Sequence, residues 1–394
     1  MVGHAAGGSQ GQPGQAAPLT PEVARRLLSP GGREAVAYAQ SLDLSDAARV
    51  ASAESVRRFG ELGPPALEQA HLRARARAKH PAGERMWWTA QALEQATSYA
   101  VAVHHAGRFA GSPLVLDLGC SVGGDLLALQ QVAPAVGVDL DEARLLLAAA
   151  NGAQALLRAD VTRLVLPPGV AVFADPARRS AGRRTSHPRS WSPPLEAVLS
   201  WPVRALGVKV APGIDYDTLP DDLEVEVVSL DGDVKEALLW RGDVRRGPRR
   251  TATLLPGPHV LSASGAPVPA VRPPGRFLLE PDGAVIRAHV VAELAQLVDG
   301  WLLDATIAYV AADVAVPTPF GRWYEVLEHL PFGLKRLRER LRTHDAGTVV
   351  VKKRGTAVVP EVLRRQLAMS GSREVTVVLT RSAGTQIAMV VQPC

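Results

Sequence analysis

The residues best suited to bind a ligand are four aspartates, each standing in or at the end of a short apolar run. Asp117 belongs to "LVLDLGCSVGGD", Asp139 to "AVGVDLD", Asp160 to "ALLRADV" and Asp175 to "AVFADP". A carboxylate accepts hydrogen bonds from hydroxyl and amino groups and stabilises a nearby positive charge. Aspartates at the ends of neighbouring strands therefore predict a site for a polar or cationic ligand.

A glycine-rich loop follows the first of these runs. Its spacing, Gly119-x-x-x-Gly123, departs from the Gly-x-Gly-x-x-Gly pattern of dinucleotide sites, and the sequence has no Gly-Lys-Ser/Thr phosphate loop at this point. The loop lets a ligand approach the backbone closely, but its spacing does not predict a pyrophosphate site.

The later acids suit a nucleoside. Asp139 lies about 20 residues after Asp117, where an acid binds ribose hydroxyls in nucleotide-binding folds. Asp160 is placed to accept a hydrogen bond from an adenine amino group, with the N–H of Val161 free for a ring nitrogen. Acids beside a loop of this kind suit a nucleoside that carries a cationic group, and S-adenosylmethionine is such a ligand.

The elements that must position these residues form an α/β pattern. Near-continuous apolar strands separated by helical patterns predict a parallel sheet covered on both faces. Asp231-Gly232, between two strand-like runs, predicts a hairpin that adds an antiparallel pair to this sheet. The predicted parallel strands are 114–119, 135–140, 155–160, 170–175 and 206–211.

The chain as a whole divides into five predicted segments. The N-terminal part after the first residues is helical by its periodicity, and the last part alternates helix and strand as a small α/β domain. The segments are a disordered tail (1–18), a helical region (19–100), a ligand-binding α/β domain (101–250), a connecting segment (251–318) and the C-terminal domain (319–394).

The ordered set "DLGCSVGGD", "GVDLD", "RADV" and "FADP", followed by a hairpin, resembles the class I S-adenosylmethionine-dependent methyltransferases. The resemblance implies a Rossmann-like sheet of parallel strands closed by an antiparallel hairpin. It also implies S-adenosylmethionine as the cofactor. The cofactor-binding residues predicted in this way are Asp117, Gly119, Cys120, Ser121, Gly123, Asp139, Leu140, Asp160 and Val161.

Two further segments resemble RNA-modifying proteins. "MWWTAQALEQATSYAVAVHHA" is similar to the segment that precedes the first strand in trimethylguanosine-synthase-like RNA methyltransferases, which implies that Thr89 and Gln95 lie near the methionine end of the cofactor. A packing helix is the alternative for these two residues. The part from about residue 320 looks like the THUMP-like domain of bacterial methyltransferases, and THUMP domains proper bind RNA.

The acceptor side is predicted at Asp175-Pro176. Amine-directed members of the superfamily have an Asn/Asp/Ser-Pro-Pro-aromatic loop here, and this chain departs from it at Ala177 and Arg178. Asp175 and Pro176 are the predicted catalytic residues, with Asp175 orienting or deprotonating the acceptor. The predicted substrate-binding residues are Arg178 and Arg179, Trp191 as the stacking ring in an arginine-rich loop, and Lys209 at the end of a strand.

Composition limits the remaining possibilities. The net charge of +5 and the pI near 9.5 are compatible with a polyanionic partner. Two cysteines predict neither a disulfide framework nor a thiolate metal site, and no run of apolar residues predicts a membrane span. We expect a cytoplasmic enzyme without a metal that methylates a base nitrogen of RNA. A small-molecule or protein methyltransferase and a non-catalytic RNA-binding protein with the same fold remain the alternatives.

Overall fold

The computed structural model contains two sheets preceded by a group of helices. It describes residues 19–167, 169–176 and 188–394, together with the backbone of residues 179–180 and 183–184. The predicted tail, residues 1–18, lies outside the described residues. No helix within the described ranges combines the length and the apolar character needed to cross a membrane.

The N-terminal region is helical, as predicted. Thr20 and Ser29 accept hydrogen bonds from the N–H groups of Val23 and Gly32, which caps the first two helices, and a proline begins each of them. The helices are α1 (Pro21–Leu28), α2 (Pro30–Gln40), α3 (Arg49–Ser55), α4 (Gly63–Ala76), α5 (Ala90–Gln95) and α6 (Tyr99–Ala106), with 3₁₀ turns at Asp46–Ala48, Val56–Leu62 and Gly107–Phe109.

A nine-stranded sheet forms the centre of the molecule. Its strands are β1 (Val115–Leu118), β2 (Ala135–Asp139), β3 (Leu156–Arg158), β4 (Ala171–Ala174), β7 (Ala205–Val210), β8 (Glu224–Leu230), β9 (Asp233–Gly242), β10 (Arg250–Leu255) and β11 (His259–Ser262). Between them lie α7 (Gly124–Leu129), α8 (Glu142–Ala150), α9 (Leu195–Leu199), a short hairpin of β5 (Arg179–Ser180) and β6 (Arg183–Arg184), and 3₁₀ turns at Pro188–Ser190 and Tyr216–Thr218.

The strand order is β11-β10-β8-β9-β7-β4-β1-β2-β3. The five strands from β7 to β3 are parallel to one another, so the predicted α/β fold is confirmed. Their carboxyl ends meet at one edge of the sheet, which brings the four aspartates together.

The predicted hairpin joins β8 and β9, with Asp231 and Gly232 both at positive φ in the turn. The sheet then continues past residue 250, where the sequence predicted a connecting segment. β10 returns beside β8 in parallel, and β11 pairs antiparallel with β10. Two parallel strands that are separated along the chain by a third strand leave no local pattern in the sequence. In addition, the prolines and glycines around these short strands are typical of loops.

A seven-stranded sheet follows, in the order β13-β14-β12-β15-β18-β17-β16. Its strands are β12 (Phe277–Pro281), β13 (Trp301–Asp304), β14 (Ile307–Ala312), β15 (Gly321–Pro331), β16 (Ala346–Lys353), β17 (Arg373–Ser382) and β18 (Thr385–Pro393). Its helices are α10 (Gly283–Arg287), α11 (Val291–Leu297), α12 (Leu334–Thr343) and α13 (Pro360–Leu367). Three strands of the predicted connecting segment therefore belong to this second sheet.

Apolar packing joins the two sheets. Val285 of α10 and Leu294 of α11 share one buried core with Val225 and Val227 of β8. The N-terminal helices pack against α8, where Leu27 of α1 shares a core with Ala143 and Leu147. Burial of this kind is the main source of stability in a folded chain, and it fixes the elements that surround the aspartates.

Candidate functional site

A cavity of about 220 Å³ lies at the carboxyl ends of β1, β2, β3 and β4. It also receives residues from α5, from the segment after it and from α8. In open α/β sheets ligands bind at this edge of the strands. The lining residues are Trp88, Ala92, Gln95, Ala96, Thr97, Asp117, Leu118, Gly119, Cys120, Ser121, Val122, Gly124, Asp125, Asp139, Leu140, Arg144, Ala159, Asp160, Val161, Asp175, Pro176, Ser192 and Pro193.

The glycine loop requires glycine at two places. Gly119 has a φ of +93°, and a Cβ added there would lie 3.2 Å from the carbonyl oxygen of Asp175, tighter than ordinary contact. Gly123 has a φ of +91° and precedes the first residue of α7. Side chains rarely adopt this left-handed backbone, so the two glycines allow the chain to turn from β1 into α7 close to the cavity.

Asp139 organises the second wall of the cavity. One of its carboxylate oxygens accepts the N–H of Ser121 at 2.9 Å and the other accepts the N–H of Asp141 at 2.9 Å. The side chain is thereby held at the end of β2 with lone pairs left for a ligand. Leu140, the next residue, is 62 % exposed and gives this wall an apolar surface, which suits the face of a flat ring.

Asp160 closes the third wall. Its Oδ1 accepts hydrogen bonds from the N–H of Thr162 at 2.9 Å and from the Thr162 hydroxyl at 2.6 Å. These bonds favour the charged form and lower the pKa of Asp160. The carboxylate at this position therefore stays ionised and is ready to accept a hydrogen bond from an amino group.

The floor of the cavity is strongly acidic. Asp117 is buried, and its Oδ2 has no hydrogen-bond partner among the described residues. Burial, together with the charges of Asp125, Asp175 and Asp139, raises its pKa well above the usual value. An unpartnered buried carboxylate beside other acids is stabilised by a positive charge, so the floor suits a cationic ligand.

The acceptor side is held by an ion pair. Nζ of Lys209 lies 3.0 Å from Oδ2 of Asp175 and donates to the hydroxyl of Thr97 at 2.8 Å and to the carbonyl of Gln95 at 3.2 Å. The Asp175 side chain is 28 % exposed, whereas Lys209 is buried. Burial raises the pKa of Asp175, and the ammonium of Lys209 opposes that shift.

The structure brings most of the predicted site residues to the cavity, but not all. The Thr89 hydroxyl accepts the N–H of Ala92 and caps α5 outside the lining, which is the packing alternative for this residue. Gly123 shapes the loop without lining the cavity, and Lys209 contacts Asp175 without lining it. The side chains of Arg178 and Arg179 lie outside the described residues.

Trp191 does not occupy the predicted stacking position. Its side chain is 3 % exposed and packs in the core beneath the site. The following residues, Ser192 and Pro193, line the cavity instead. An aromatic ring in a basic loop was the signal for stacking, but the apolar area of a tryptophan favours burial where a core is within reach.

Sequence reasoning missed several residues of the site. Asp125 of α7 lies in the floor, and it was visible as the last letter of "GCSVGGD" without being assigned a role. Trp88 and Thr97 lie in the segment before the first strand that was predicted to approach the cofactor, and their places within that segment are their signal, whereas Arg144 of α8 has no local pattern that marks it. Cys120 lines the cavity as a small side chain, and burial raises the pKa of its thiol, which argues against a nucleophilic thiolate.

Comparison with known proteins gives a decisive match. The chain is 41 % identical over 341 residues to an uncharacterised S-adenosylmethionine-dependent methyltransferase of Mycobacterium tuberculosis H37Rv, covering 82 % of this chain and 94 % of the relative. The corresponding protein of the Oshkosh strain matches equally well.

The chain belongs to the S-adenosylmethionine-dependent methyltransferases. The predicted enzyme class and cofactor are therefore confirmed. The residues that line the cavity fit this cofactor: Asp139 would accept hydrogen bonds from the ribose, Leu140 and Asp160 would contact the adenine, and the floor around Asp117 would favour the cationic part.

Two further comparisons describe the fold of the methyltransferase. A crystal structure of a candidate methyltransferase from Porphyromonas gingivalis W83 has a TM-score of 0.67 at 18 % identity and covers 84 % of this chain and 90 % of that one. This likeness concerns the fold alone. The model of the family described as THUMP domain-like matches residues 321–393, which confirms the predicted resemblance of the C-terminal domain.

Proposed function

We propose that this methyltransferase acts on RNA and transfers the methyl group to a base nitrogen that is bound by Asp175. The observation that carries the proposal is the THUMP domain-like segment at residues 321–393, whose outer helices are basic. The arrangement of Asp175 at the mouth of the cofactor cavity supports nitrogen as the acceptor atom.

Asp175 is suited to hold an acceptor N–H. Its Oδ2 is bound by Lys209, which leaves Oδ1 to accept a hydrogen bond from the substrate. Pro176, which follows, has a fixed φ and no N–H, so it restricts the direction of the chain beside the acceptor. The partial exposure of Asp175 opens a path to the acceptor from solvent.

The reaction needs positioning above all. Bound S-adenosylmethionine supplies a methyl group on a positively charged sulfur. With the cofactor bound, the residues of this chain would hold the acceptor nitrogen in line with the carbon–sulfur bond, so that the nitrogen would take the methyl group and the sulfur would keep the electron pair. Asp175 orients the nitrogen and accepts its proton, which then passes to water through the exposed side of the carboxyl group. The acidic floor stabilises the positive charge of the bound cofactor and so contributes to its binding.

The C-terminal domain offers a surface for RNA. α12 buries its leucines against the sheet and exposes Lys335, Arg336 and Arg342, and α13 exposes Arg365. Within the described part of the chain these four side chains form no ion pair, so their charges are available to phosphates. Phosphate contacts by arginine and lysine supply most of the sequence-independent affinity for nucleic acids.

The experiment is transfer of a labelled methyl group to total RNA from bacteria that lack this gene, with protein and metabolite fractions assayed in parallel. We expect label in RNA and, after digestion, in a nitrogen-methylated nucleoside. In Asp175→Asn we expect incorporation to fall about 100-fold or more, the range of a lost general base. Its S-adenosylmethionine affinity, measured by calorimetry, should be unchanged. Asp243→Asn, which removes an exposed acid remote from the cavity, is the matched control.

RNA binding is tested separately by the double variant Arg336→Glu, Arg365→Glu. We expect weaker binding and a slope of log affinity against log salt that is less steep by about 1.4 to 1.8, since each of the two phosphate contacts contributes about 0.7 to 0.9. The matched control, the double variant Arg336→Lys, Arg365→Lys, keeps both charges and should bind RNA like the unaltered protein. Label in the protein or metabolite fraction, or tight RNA binding with no methyl transfer under any condition, would contradict the proposal.

A further inference from the structure

A buried cluster of charged groups lies directly beneath Asp175. Lys209 from β7 lies 3.0 Å from Asp175 and its Nζ is 3.7 Å from Oε2 of Glu236 on β9. Oε1 of Glu236 is in turn 2.6 Å from Nε2 of His105 on α6. Lys209, Glu236 and His105 are all buried. Alternating charges therefore run from the acceptor carboxylate into the protein.

A second set of contacts closes this chain into a ring. Asp125 from α7 lies 3.6 Å from Nδ1 of His105 and accepts the hydroxyl of Thr97 at 2.9 Å. Thr97 itself accepts the ammonium of Lys209. Among the described residues, Asp125 from α7 and Glu236 from β9 are thus the charged groups that pair with His105, and Lys209 from β7 is linked to it through Glu236 and Thr97.

The other neighbours of His105 are aromatic or point away. Phe173 from β4 and Trp240 from β9 pack around its ring at centroid distances of 5.6 Å and 6.3 Å. His104, the preceding residue on α6, has its ring centroid 6.3 Å from that of His105, and its Nε2 pairs with Glu226 at 2.7 Å. Water has no access to the ring, so the charge on His105 acts on its ionic neighbours without screening by solvent.

Stability alone does not explain the cluster. Taking charges out of water is costly, and apolar residues of similar volume stabilise a core as well or better. Burying His105 and Glu236 in charged form is therefore expensive at a place where Phe173 and Trp240 already supply apolar packing. The cluster ends at the Asp175 carboxylate, which faces the acceptor. A role in the reaction therefore accounts for a cluster whose burial costs free energy.

We propose that His105 and Glu236 are positioning residues, which fix Lys209 between two carboxylates so that Asp175 keeps one oxygen bound and presents the other to the acceptor. This inference rests on the proposed function in that Asp175 binds the acceptor. Neither residue lines the cofactor cavity, so neither contacts the reacting atoms.

The charges of the two residues act on Asp175 in opposite directions. The carboxylate of Glu236 raises the pKa of Asp175, after the larger effects of burial, Lys209 and Asp125. His105 is cationic at neutral pH: burial would lower its pKa, but Glu236 and Asp125 outweigh burial and raise it to about 9. Removing the negative charge of Glu236 should therefore lower the pKa of Asp175, and removing the positive charge of His105 should raise it.

The test uses Glu236→Gln and His105→Gln in the full chain. The first readout is the titration of Asp175, followed by ¹³C NMR of protein labelled at aspartate carboxyl groups, with Asp175→Asn to assign the signal. We expect the midpoint to move down by about one pH unit in Glu236→Gln and up by about one unit in His105→Gln, the lower end of the effect of a neighbouring charge. The acidic limb of methyl transfer to the same total RNA should shift in the same two directions.

The kinetic readout separates positioning from binding. In both glutamine variants we expect kcat to fall roughly tenfold at neutral pH, comparable to about 1.4 kcal/mol of transition-state stabilisation, with S-adenosylmethionine affinity unchanged by calorimetry. His104→Gln is the matched control: it alters the neighbouring histidine, which pairs with Glu226 and not with Glu236 or Asp125, and it should move neither the titration nor kcat. If a glutamine variant does not fold, Thr97→Val removes one anchor of Lys209 and should move the midpoint up.

Shifts of the two glutamine variants in the same direction, or no shift in either, would overturn the inference. Opposite shifts in the titration without any methylation of RNA would leave the inference standing and overturn the proposed substrate. Methylation of RNA with unshifted titration midpoints would support the proposed substrate and overturn the inference.

Discussion

Replacement of Asp139 by asparagine gives the most direct test of the cofactor site. In the unaltered protein each oxygen of this carboxylate accepts one backbone N–H at 2.9 Å, from Ser121 and from Asp141. The remaining lone pairs are those expected to accept the two ribose hydroxyls. Asparagine keeps the shape of the side chain but has one acceptor oxygen, and its amide nitrogen must face a donor.

The magnitude follows from the bonds that are lost. A hydrogen bond to a charged group contributes about 1.5 to 3 kcal/mol, so losing one to the ribose and weakening the other should cost about 2 to 4 kcal/mol of binding free energy. The dissociation constant for S-adenosylmethionine should therefore rise about 30- to 900-fold. The N–H left without an acceptor should also lower the free energy of unfolding by about 1 to 3 kcal/mol.

Calorimetric titration with S-adenosylmethionine, well below the melting temperature of both proteins, measures the effect. Asp141→Asn is the matched control: it removes the same charge two residues away, on an exposed side chain that caps α8 and does not line the cavity. Asparagine caps helices as well as aspartate does, so the affinity of Asp141→Asn for S-adenosylmethionine should be unchanged. An unchanged dissociation constant in Asp139→Asn, or an equal loss in Asp141→Asn, would refute this account of the site.

Three further outcomes follow from the structure. Arg108→Met should lower the free energy of unfolding by about 3 to 5 kcal/mol in a denaturant titration. Glu224 and Glu226 each lie within 2.9 Å of the guanidinium, and in the variant buried Glu224 would lose its cation while buried Glu226 would keep only His104. A loss below about 1 kcal/mol would contradict this prediction. The fold raises the pKa of His105 from 6.5 to about 9, so protonated His105 stabilises the fold fully below pH 6.5 and this stabilisation is lost as the pH rises through 9. The free energy of unfolding should therefore fall by about 3 kcal/mol between these pH values. In His105→Gln the free energy of unfolding should depend less on pH over the same range. Gly119→Ala should lower the free energy of unfolding by about 1 to 2 kcal/mol and so lower the melting temperature, since the new side chain would stand at positive φ. Calorimetry should show weaker cofactor binding. An unchanged melting temperature would contradict the predicted strain.

Much of the first sheet could be predicted because its strands are locally encoded. The runs ending at Asp117, Asp139 and Asp160 are apolar and short, and the strands found there begin and end within a few residues of the predicted bounds. Asp231-Gly232 likewise predicts its hairpin, because both residues tolerate the positive φ that the turn requires. β10, by contrast, is defined by its pairing with β8, from which β9 separates it along the chain, and such pairing has no signature within the strand itself.

For the site, the sequence by itself determined the cofactor side: its acids follow strands whose carboxyl ends must share one edge of a parallel sheet, so spacing along the chain is enough to group them. Only the tertiary structure decided the acceptor side. Lys209, Glu236 and His105 come from three elements, and each is unremarkable within its own segment. They become one charged cluster beneath Asp175 because antiparallel β9 lies beside β7, with α6 packed nearby. Trp191 is buried for the complementary reason, since a core within reach outweighs the polar loop around it.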